Sequence, residues 1–248
     1  MSSVMLDGAR ERMFARGHAG QILELQEVTN EIDASATEEQ QLDQLVTLAE
    51  QVRPTLERIL SSLDTKLATC SKVSIKERST AVEKLHRPGM QRKRPWYSAA
   101  HLSDMLRGQT TVTDLKLLSV IIQNLLESDV QVLCIDASRL LYPTSFGYRF
   151  VSVTLKIESI LVDFQVLVDE VDAVNDAGHD LYERWRAVDL AQLSTEVAEE
   201  RDAAQLASFT LYTEAWKQYL ERTSQTEVDV NNMLNQMWAV MDAFECKT

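Results

Sequence analysis

One stretch near the middle of the chain constrains the fold more than any other. Residues 130–168 hold the only dense concentration of β-branched and alternating apolar residues in a chain that otherwise shows helical spacing. The pattern predicts strands over 130–135, 148–157 and 160–168. Strands grouped in one part of a helical chain are typical of the α+β class, so we expect a small mixed β-sheet flanked by helices.

Residues 1–70 are predicted to be mainly helical. Apolar residues recur there at helical spacing, first over 22–32 and then along a second, longer stripe. Thr37 and Gln40 resemble a capping box that begins the helix of the second stripe. Pro54 marks either a kink in this helix or the first turn of a separate one.

The C-terminal part is also predicted to be helical. Ser224 and Glu227 form a second capping-box candidate. Trp216, Tyr219 and Trp238 lie on apolar faces, where core packing is the favoured interpretation and a surface for a protein partner or self-association is the alternative. The remaining predicted elements are a strand over 73–76, a helix over 79–85 that stops at Pro88, a loop over 90–100, a strand over 109–112, and helices over 112–127, 169–186 and from 190 onwards.

Composition and charge exclude several classes of protein. With 248 residues, 45% of them hydrophobic, the chain can bury a core, and seven Gly and four Pro argue against an all-β or disordered chain. The net charge of −13 argues against broad binding to nucleic-acid backbones, because an acidic surface repels phosphate. The N-terminus is charged where a signal peptide is apolar, and no apolar run is long enough for a membrane span. We expect a cytoplasmic protein without membrane contact, although secretion without a cleavable signal stays open.

Residues 84–94 form a basic segment in this acidic protein. The segment contains five Lys or Arg residues and no acidic residue. A charged run of this kind is usually a solvated loop, which is the first interpretation. The second is a cradle for phosphates, because clustered cations pair with phosphate oxygens.

Two carboxylates are candidates for chemistry. The period of two in the strand over 160–168 places Asp163 and Gln165 on one face of a mostly apolar strand. This indicates the wall of a site; the alternative is an edge strand with one solvated face. Asp104 precedes the strand predicted over 109–112, and two carboxylates that meet from different strands can hold Mg²⁺ on nucleotide phosphates.

Further candidates follow the turn at Gly147. Tyr148 and Arg149 offer a ring and a guanidinium suited to a base and a phosphate, unless they are ordinary strand residues after a turn glycine. His179 and Tyr182 lie on one helix face, where a hydrogen-bonded structural histidine is more common than a catalytic one. No P-loop, HExxH, GxSxG or Cys/His cluster is present, so hydrolases and zinc enzymes of those types are unsupported.

Taken in order, these residues resemble the synthetase domain of the RelA/SpoT alarmone synthetase family. The segment from Ser74 to Lys84 is similar to the family's Arg-x-Lys motif with its later Lys, and Lys76 and Lys84 stand in register. Asp104 matches the metal-binding Asp that precedes a strand. Residues 147–149 match the family's Gly-Tyr-Arg motif. Later, 163–165 is similar to Glu-Ile-Gln, and 179–182 is similar to a helix that carries His before Tyr.

The chain departs from the family at several positions. Ser74 replaces the leading Arg, Ser152 replaces a His, and Gln109 stands where the family has an Arg on a strand, although Arg107 lies close by. Asp163 replaces Glu, which shortens the reach of the carboxylate by one methylene. The departures at Ser74 and Ser152 remove expected phosphate ligands.

The resemblance implies a nucleotidyltransferase-type domain over residues 55–188, between an N-terminal helical region (1–54) and a C-terminal helical extension (189–248). It implies a Mg²⁺-dependent transfer of pyrophosphate from ATP to the 3′-hydroxyl of a nucleotide or an RNA. Tyr148 would stack on the acceptor base. The implied catalytic residues are Asp104, Asp163 and Gln165, of which the two aspartates would bind the metal. Lys76 and Lys84 would hold the donor phosphates. The further residues implied to bind the nucleotides are Arg87, Arg92, Arg139, Tyr148, Arg149 and His179.

Three hypotheses therefore stand. The first is a RelA/SpoT-like pyrophosphokinase. The second is a family member that has lost catalysis and binds a nucleotide or a protein partner as a regulatory module, which the departures at Ser74 and Ser152 favour. The third is a helical interaction protein without a central mixed sheet.

Overall fold

A mixed β-sheet lies at the centre of the protein. The computed structural model describes residues 15–17, 28–67, 69–189 and 192–245, and within these ranges six strands form one sheet in the order β1-β4-β5-β6-β3-β2. β3 and β6 run parallel, whereas the other neighbours are antiparallel. The strands are β1 (Ala15–Gly17), β2 (Cys70–Ile75), β3 (Leu106–Val112), β4 (Gln131–Asp136), β5 (Val151–Ile157) and β6 (Ile160–Val168).

Helices precede, connect and follow the strands, which confirms the predicted α+β class with helical N- and C-terminal parts. None of the helices within the described residues is long and apolar enough to cross a membrane. The described helices are α1 (Glu38–Leu67), α2 (Arg78–His86), α3 (Pro88–Lys93), α4 (Leu118–Leu126), α5 (Ser138–Leu141), α6 (Asp169–Ala173), α7 (Asn175–Arg186), α8 (Thr195–Thr223) and α9 (Glu227–Glu245), with 3₁₀ turns at Ala99–His101 and Leu115–Leu117.

Helix α1 forms where the sequence predicts it. The backbone N–H of Thr37 donates to Gln40 Oε1 at 3.0 Å, and that of Gln40 donates to Thr37 Oγ1 at 3.3 Å, so the predicted capping box is confirmed. The helix continues through Pro54, and the boundary proposed between residues 54 and 55 lies inside it. The apolar stripe is buried at Leu42, Leu45, Ala49, Val52, Leu56, Ile59, Leu60 and Leu63.

The two faces of the sheet differ in polarity. One face packs on α1, where a Cβ added at Gly108 would lie 3.2 Å from Leu60 and 3.1 Å from Phe164. The residues of the opposite face, called here the polar face, are identified by the period of two along each strand and by the strand register. Because β6 lies inside the sheet, the edge-strand alternative is wrong. The polar face carries Lys72, Ser74, Arg107, Gln109, Ser152, Thr154, Asp163 and Gln165.

The N-terminal segment departs from the helical prediction. Residues 22–27 lie outside the described part, and residues 28–33 have no helical structure. Ala15–Gly17 pairs with β4, so the helical prediction over residues 1–70 is wrong there. Asn30 gives a physical reason, because its side chain hydrogen-bonds to backbone groups of two other segments and thereby competes with a local helix.

The helix predicted over 79–85 ends before Pro88, as predicted, but the loop predicted after it and the capping box predicted at Ser224 are wrong. Pro88 itself begins α3, because proline at the first helical position has no N–H that needs a partner. The predicted loop over 90–100 is therefore helical in its first part. Ser224 adopts the left-handed conformation at the end of α8, with φ of 53°. Thr226 and Asp229 form the reciprocal bonds that begin α9, at 2.8 and 3.3 Å.

The C-terminal helices share the core with the sheet. Trp216, Tyr219 and Trp238 are buried, which confirms core packing as the role of these aromatic residues. The Tyr219 hydroxyl accepts from the backbone N–H of Leu115 at 3.0 Å and donates to Gln225 at 2.8 Å. These bonds tie α8 to the turn that precedes α4.

Candidate active site

Two lysines converge on one aspartate at an end of the polar face. Lys76 follows β2, Lys84 lies on α2, and Asp104 precedes β3. The backbone N–H of Lys76 donates to the carbonyl of Met105 at 2.8 Å, which holds the end of β2 beside the start of β3. Both ammonium groups reach Oδ2 of Asp104, at 2.8 Å from Lys76 and 2.9 Å from Lys84. These three residues are called here the lysine–aspartate cluster.

The lysine–aspartate cluster is buried and carries a net positive charge. The side chains of Lys76, Asp104 and Lys84 are 5%, 14% and 17% exposed. Burial alone would raise the pKa of Asp104, but the charges of Lys84 and Lys76 outweigh it and hold that pKa well below its ordinary value. Oδ1 of the same carboxylate is buried without a hydrogen-bond partner. The carboxylate is therefore ionised, with one oxygen paired and the other free.

A chain of hydrogen bonds holds the second carboxylate. The Tyr148 hydroxyl donates to Gln165 Oε1 at 3.2 Å, and Gln165 Nε2 donates to Asp163 Oδ2 at 2.8 Å. The Ser152 hydroxyl donates to Asp163 Oδ1 at 3.1 Å. Asp163 and Gln165 therefore share a face as predicted, and Ser152, which replaces the family's His, contacts the carboxylate directly.

The two aspartates act on each other electrostatically. Burial and the negative charge of Asp104 raise the pKa of Asp163, against the opposing hydrogen bonds from Gln165 and Ser152. The environments of Asp104 and Asp163 thus shift the two pKa values in opposite directions. Such a pair can divide its tasks, because one carboxylate stays ionised while the other accepts a proton more readily.

Arg149 points away from this group. Arg149 and Tyr148 precede β5, and their side chains make different contacts. Its guanidinium donates to the carbonyl of Leu140 and lies 4.9 Å from the centre of the Trp216 ring. Burial lowers the pKa of Arg149. These contacts fasten the turn after α5 to α8.

The basic segment divides between the site and structural ion pairs. Lys84 belongs to the lysine–aspartate cluster. Arg87 pairs with Glu83 on α2 at 3.0 Å, and Arg92 pairs with Asp189 at 2.8 Å. Arg87 thus pairs back onto α2, and Arg92 connects α3 to the segment after α7.

Two other predicted residues lie on helices. His179 is exposed on α7 and contacts Glu183 at 2.9 Å, one helical turn away. This contact is of the kind expected of a structural histidine. Arg139 is half-buried on α5, directly after β4.

Helix α8 covers the ring that the resemblance assigns to base stacking. The Tyr148 ring centre lies 5.3 Å from that of Tyr212 and 4.8 Å from that of Phe150. Burial raises the pKa of the Tyr148 hydroxyl far above its ordinary value. Gly147 has φ of +91°, and a Cβ there would lie 2.7 Å from the backbone of Phe209. The glycine therefore permits α8 to approach the turn closely.

Sequence reasoning assigned no role to two features near the site. A cavity of about 110 Å³ beside Lys84 is lined by Trp96, Tyr97 and His101, whose rings contact one another. Arg107 lies on the polar face in register with Asp163, and its Nε is buried without a hydrogen-bond partner. The period of two would have placed Arg107 beside Gln109 on this face, but the parallel pairing with β6 has no local signal.

Comparison with solved structures identifies the fold. The small alarmone synthetase 1 from Bacillus subtilis, bound to its product pppGpp, matches with a TM-score of 0.55 at 14% identity, over 75% of this chain and 98% of that chain. The chain has the fold of an alarmone synthetase. A GTP pyrophosphokinase family protein from Streptococcus pneumoniae matches with a TM-score of 0.49 at 14% identity, over 81% and 96% of the chains. The type VI effector Tas1 in complex with its immunity protein matches with a TM-score of 0.46 at 19% identity, over 71% of this chain and 96% of that chain. No protein-family model and no curated protein matches the chain.

The alarmone-synthetase fold confirms the RelA/SpoT-like architecture expected from the ordered motifs. The central mixed sheet excludes the third hypothesis, a helical interaction protein. Among the described residues, no group of three or more His, Cys, Asp or Glu side chains is arranged to hold a metal ion.

Proposed function

We propose that the protein is a RelA/SpoT-like pyrophosphokinase, which transfers the pyrophosphate of ATP to the 3′-hydroxyl of a nucleotide or an RNA. The observation that carries the proposal is the polar face. On this face the lysine–aspartate cluster lies near enough to Asp163 for the two aspartates to influence each other. The lysines lower the pKa of Asp104, whereas burial and the charge of Asp104 raise the pKa of Asp163. Phosphoryl-group transfer needs cations for the phosphates and a carboxylate near the attacking hydroxyl.

Lys76 and Lys84 are the proposed ligands of the donor phosphates. Both ammonium groups are largely shielded from water, which strengthens their attraction for an anion. In the protein alone they share one oxygen of Asp104. A triphosphate offers several further oxygens, so either lysine can bind phosphate while Asp104 keeps a cationic neighbour.

Asp104 and Asp163 are the proposed ligands of Mg²⁺. The unpartnered Oδ1 of Asp104 supports this assignment, because a buried carboxylate oxygen without a donor is suited to a cation. Mg²⁺ commonly uses one or two carboxylates together with substrate phosphates and water, so two aspartates are sufficient. When bound, the metal would neutralise charge that develops on the phosphates.

Asp163 is the proposed acceptor of the hydroxyl proton. In the proposed step the acceptor 3′-oxygen forms a bond to the β-phosphorus of ATP. The bond between that phosphorus and the α,β-bridging oxygen breaks, AMP leaves, and the 3′-hydroxyl proton passes to Asp163. A raised pKa supports the role, because a carboxylate that protonates more readily is a better base. Ser152 and Gln165 hold the carboxylate in position.

Release of AMP tests the proposal. The protein is incubated with ATP and Mg²⁺, and separately with GDP, GTP, ADP and tRNA as acceptors, and AMP is measured by chromatography. We expect AMP and a pyrophosphorylated product with at least one acceptor, and loss of both in Asp163→Asn. An absence of AMP with every acceptor would show that the enzymatic proposal is wrong.

A second candidate function is a catalytically inactive, nucleotide- or protein-binding module. It is favoured by the packing of Tyr212 against Tyr148, which covers the ring proposed to stack on the acceptor base. A protein-binding form would use the terminal helices, on which Leu206 and Val228 are 67% and 69% exposed. Calorimetry with a nonhydrolysable ATP analogue separates the two candidates, because tight binding without AMP release supports the module.

A further inference from the structure

Arg107 occupies the middle of the polar face. The antiparallel register of β2 and β3 pairs it with Ser74, and the parallel register of β3 and β6 pairs it with Asp163. Side chains of paired residues project to the same face of a sheet. Arg107 therefore stands between the end of β2, from which Lys76 extends, and the carboxylate of β6.

The guanidinium of Arg107 is incompletely satisfied. Its Nε is buried without a hydrogen-bond partner, and its charge is close enough to Lys76 to lower the pKa of that lysine. A buried N–H of a charged group that lacks a partner is costly to a folded protein. Arg107 thus adds a third cation beside the lysine–aspartate cluster, and an anion is the species that would supply an acceptor for its Nε.

The side chain opposite Arg107 leaves room for its guanidinium. Ser74 is small, and it stands where the resemblance expects an arginine. We propose that Arg107 binds the polyphosphate of the donor nucleotide, so that β3 supplies the guanidinium which the family pattern places on β2. This inference rests on the proposed function. It adds a ligand that the ordered motifs do not assign, and it accounts for the loss of arginine at Ser74.

The chemistry of a guanidinium suits this role. Nε and one Nη form a planar pair of donors that matches two oxygens of a phosphate, with two parallel charge-assisted hydrogen bonds. Lysine ammonium groups act as point charges instead. Arg107 would therefore orient the polyphosphate, while Lys76 and Lys84 mainly neutralise its charge.

Calorimetry with two probes tests the inference on the full chain. The probes are α,β-methylene ATP and inorganic tripolyphosphate, both with Mg²⁺. Arg107→Ser should weaken both probes by about tenfold to a hundredfold, the effect of losing a hydrogen bond to a charged group. The swap Ser74→Arg with Arg107→Ser returns the guanidinium to β2 and should regain most of the affinity. Arg58→Ser, a loss of the same charge from the exposed side of α1, should change neither Kd.

The outcomes separate this inference from the proposed function. If the unchanged protein binds neither probe, the proposed donor site is wrong. If it binds both and Arg107→Ser binds equally well, the donor site stands and the role of Arg107 is wrong. Weakened binding of the ATP analogue alone would assign Arg107 to the nucleoside and would overturn the polyphosphate contact. A swap variant as weak as Arg107→Ser would show that the two strand positions are not equivalent.

Circular dichroism of each variant guards against an effect of misfolding. Because Nε has no partner to lose, Arg107→Ser is expected to fold normally. If it does not fold, Arg107→Lys provides the test, since it keeps the charge but not the paired donors. That variant should bind both probes with intermediate affinity, and unchanged affinity would contradict the proposed orientation of the phosphates.

Discussion

The same substitution at the two aspartates of the site is expected to change stability in opposite directions. Asp104→Asn removes the negative charge that two ammonium groups share, at 2.8 and 2.9 Å. Lys76 and Lys84 are then left side by side, 5% and 17% exposed, without a counter-ion. Removing one partner of a buried ion pair costs about 3–5 kcal/mol. We expect the free energy of unfolding at pH 7 to fall by that amount.

Asp163→Asn should instead raise the free energy of unfolding. Burial and the charge of Asp104 oppose ionisation of Asp163, so the ionised carboxylate destabilises the folded state. Asparagine removes this charge and keeps the hydrogen bonds, because its oxygen can accept from Gln165 while the Ser152 hydroxyl turns to accept from its amide. Removing an unfavourable charge of this kind typically raises the free energy of unfolding by about 0.5–2 kcal/mol.

The pH dependence gives each aspartate a distinct signature. The pKa of Asp104 is lowered by folding, so its contribution to stability is present above the unfolded value of about 3.9 and is lost as pH falls toward the folded pKa. The pKa of Asp163 is raised by folding. Its contribution therefore falls as pH rises from the unfolded value through the folded pKa, and stays unfavourable above it. Asp104→Asn should remove the loss of stability that occurs as pH falls below about 3.9. Asp163→Asn should remove the loss of stability that occurs as pH rises above that value.

Urea unfolding between pH 3 and pH 8, followed by tryptophan fluorescence and circular dichroism, measures these effects. Asp180→Asn on the exposed side of α7 is the matched control, and we expect it to stay within about 0.5 kcal/mol of the unchanged protein. Equal losses of stability in Asp104→Asn and Asp163→Asn would refute the reasoning. So would a gain in Asp163→Asn that disappears at high pH, where its charge is fully formed.

Two further predictions concern the donor site and the packing of α8. Lys84→Met should reduce AMP release by about a hundredfold or more, because it removes a shielded cation from the proposed phosphate site, whereas Lys93→Met on the exposed end of α3 should leave the rate unchanged. Gly178→Ala should lower the free energy of unfolding by about 1–3 kcal/mol, because its Cβ would lie 2.4 Å from the Tyr212 ring. Gly89→Ala, which meets nothing within 4 Å, is the control for helix propensity in the same urea assay.

Local sequence signals predicted those features of the structure that depend on residues close together in the sequence. The reciprocal bonds of Thr37 and Gln40 depend on residues three positions apart, and the paired orientation of Asp163 and Gln165 follows from the pleat of one strand. Both features could therefore be predicted from neighbouring residues alone. The same holds for the buried stripe of α1, which the helical period defines.

Features that depend on distant segments could not be predicted in this way. Residues 28–33 show this, because the side chain of Asn30 bonds to backbone groups some 70 and more residues away, at 2.8 and 3.0 Å. The parallel pairing of β3 with β6 is equally non-local, and it alone brings Arg107 beside Asp163. No pattern within either strand specifies its neighbour.

The contacts of Tyr148 and Arg149 also depend on segments that are distant in the sequence. The resemblance implies that both residues bind the nucleotide. In the structure the Tyr148 hydroxyl donates to Gln165 on β6, and the Arg149 guanidinium lies over the Trp216 ring of α8. A motif does not specify such contacts, because the partners lie elsewhere in the chain.

The two oxygens of Asp104 resolve an apparent conflict in the proposed site. A carboxylate already bound by two lysines is a poor metal ligand if both oxygens are occupied, because the ammonium groups and the cation would compete for it. Here both lysines use Oδ2, and Oδ1 has no partner. One oxygen can thus fix the lysines beside the phosphates while the other stays available to a cation. The net positive charge of the lysine–aspartate cluster, together with Arg107, then gives an acidic protein a local site that attracts a polyphosphate.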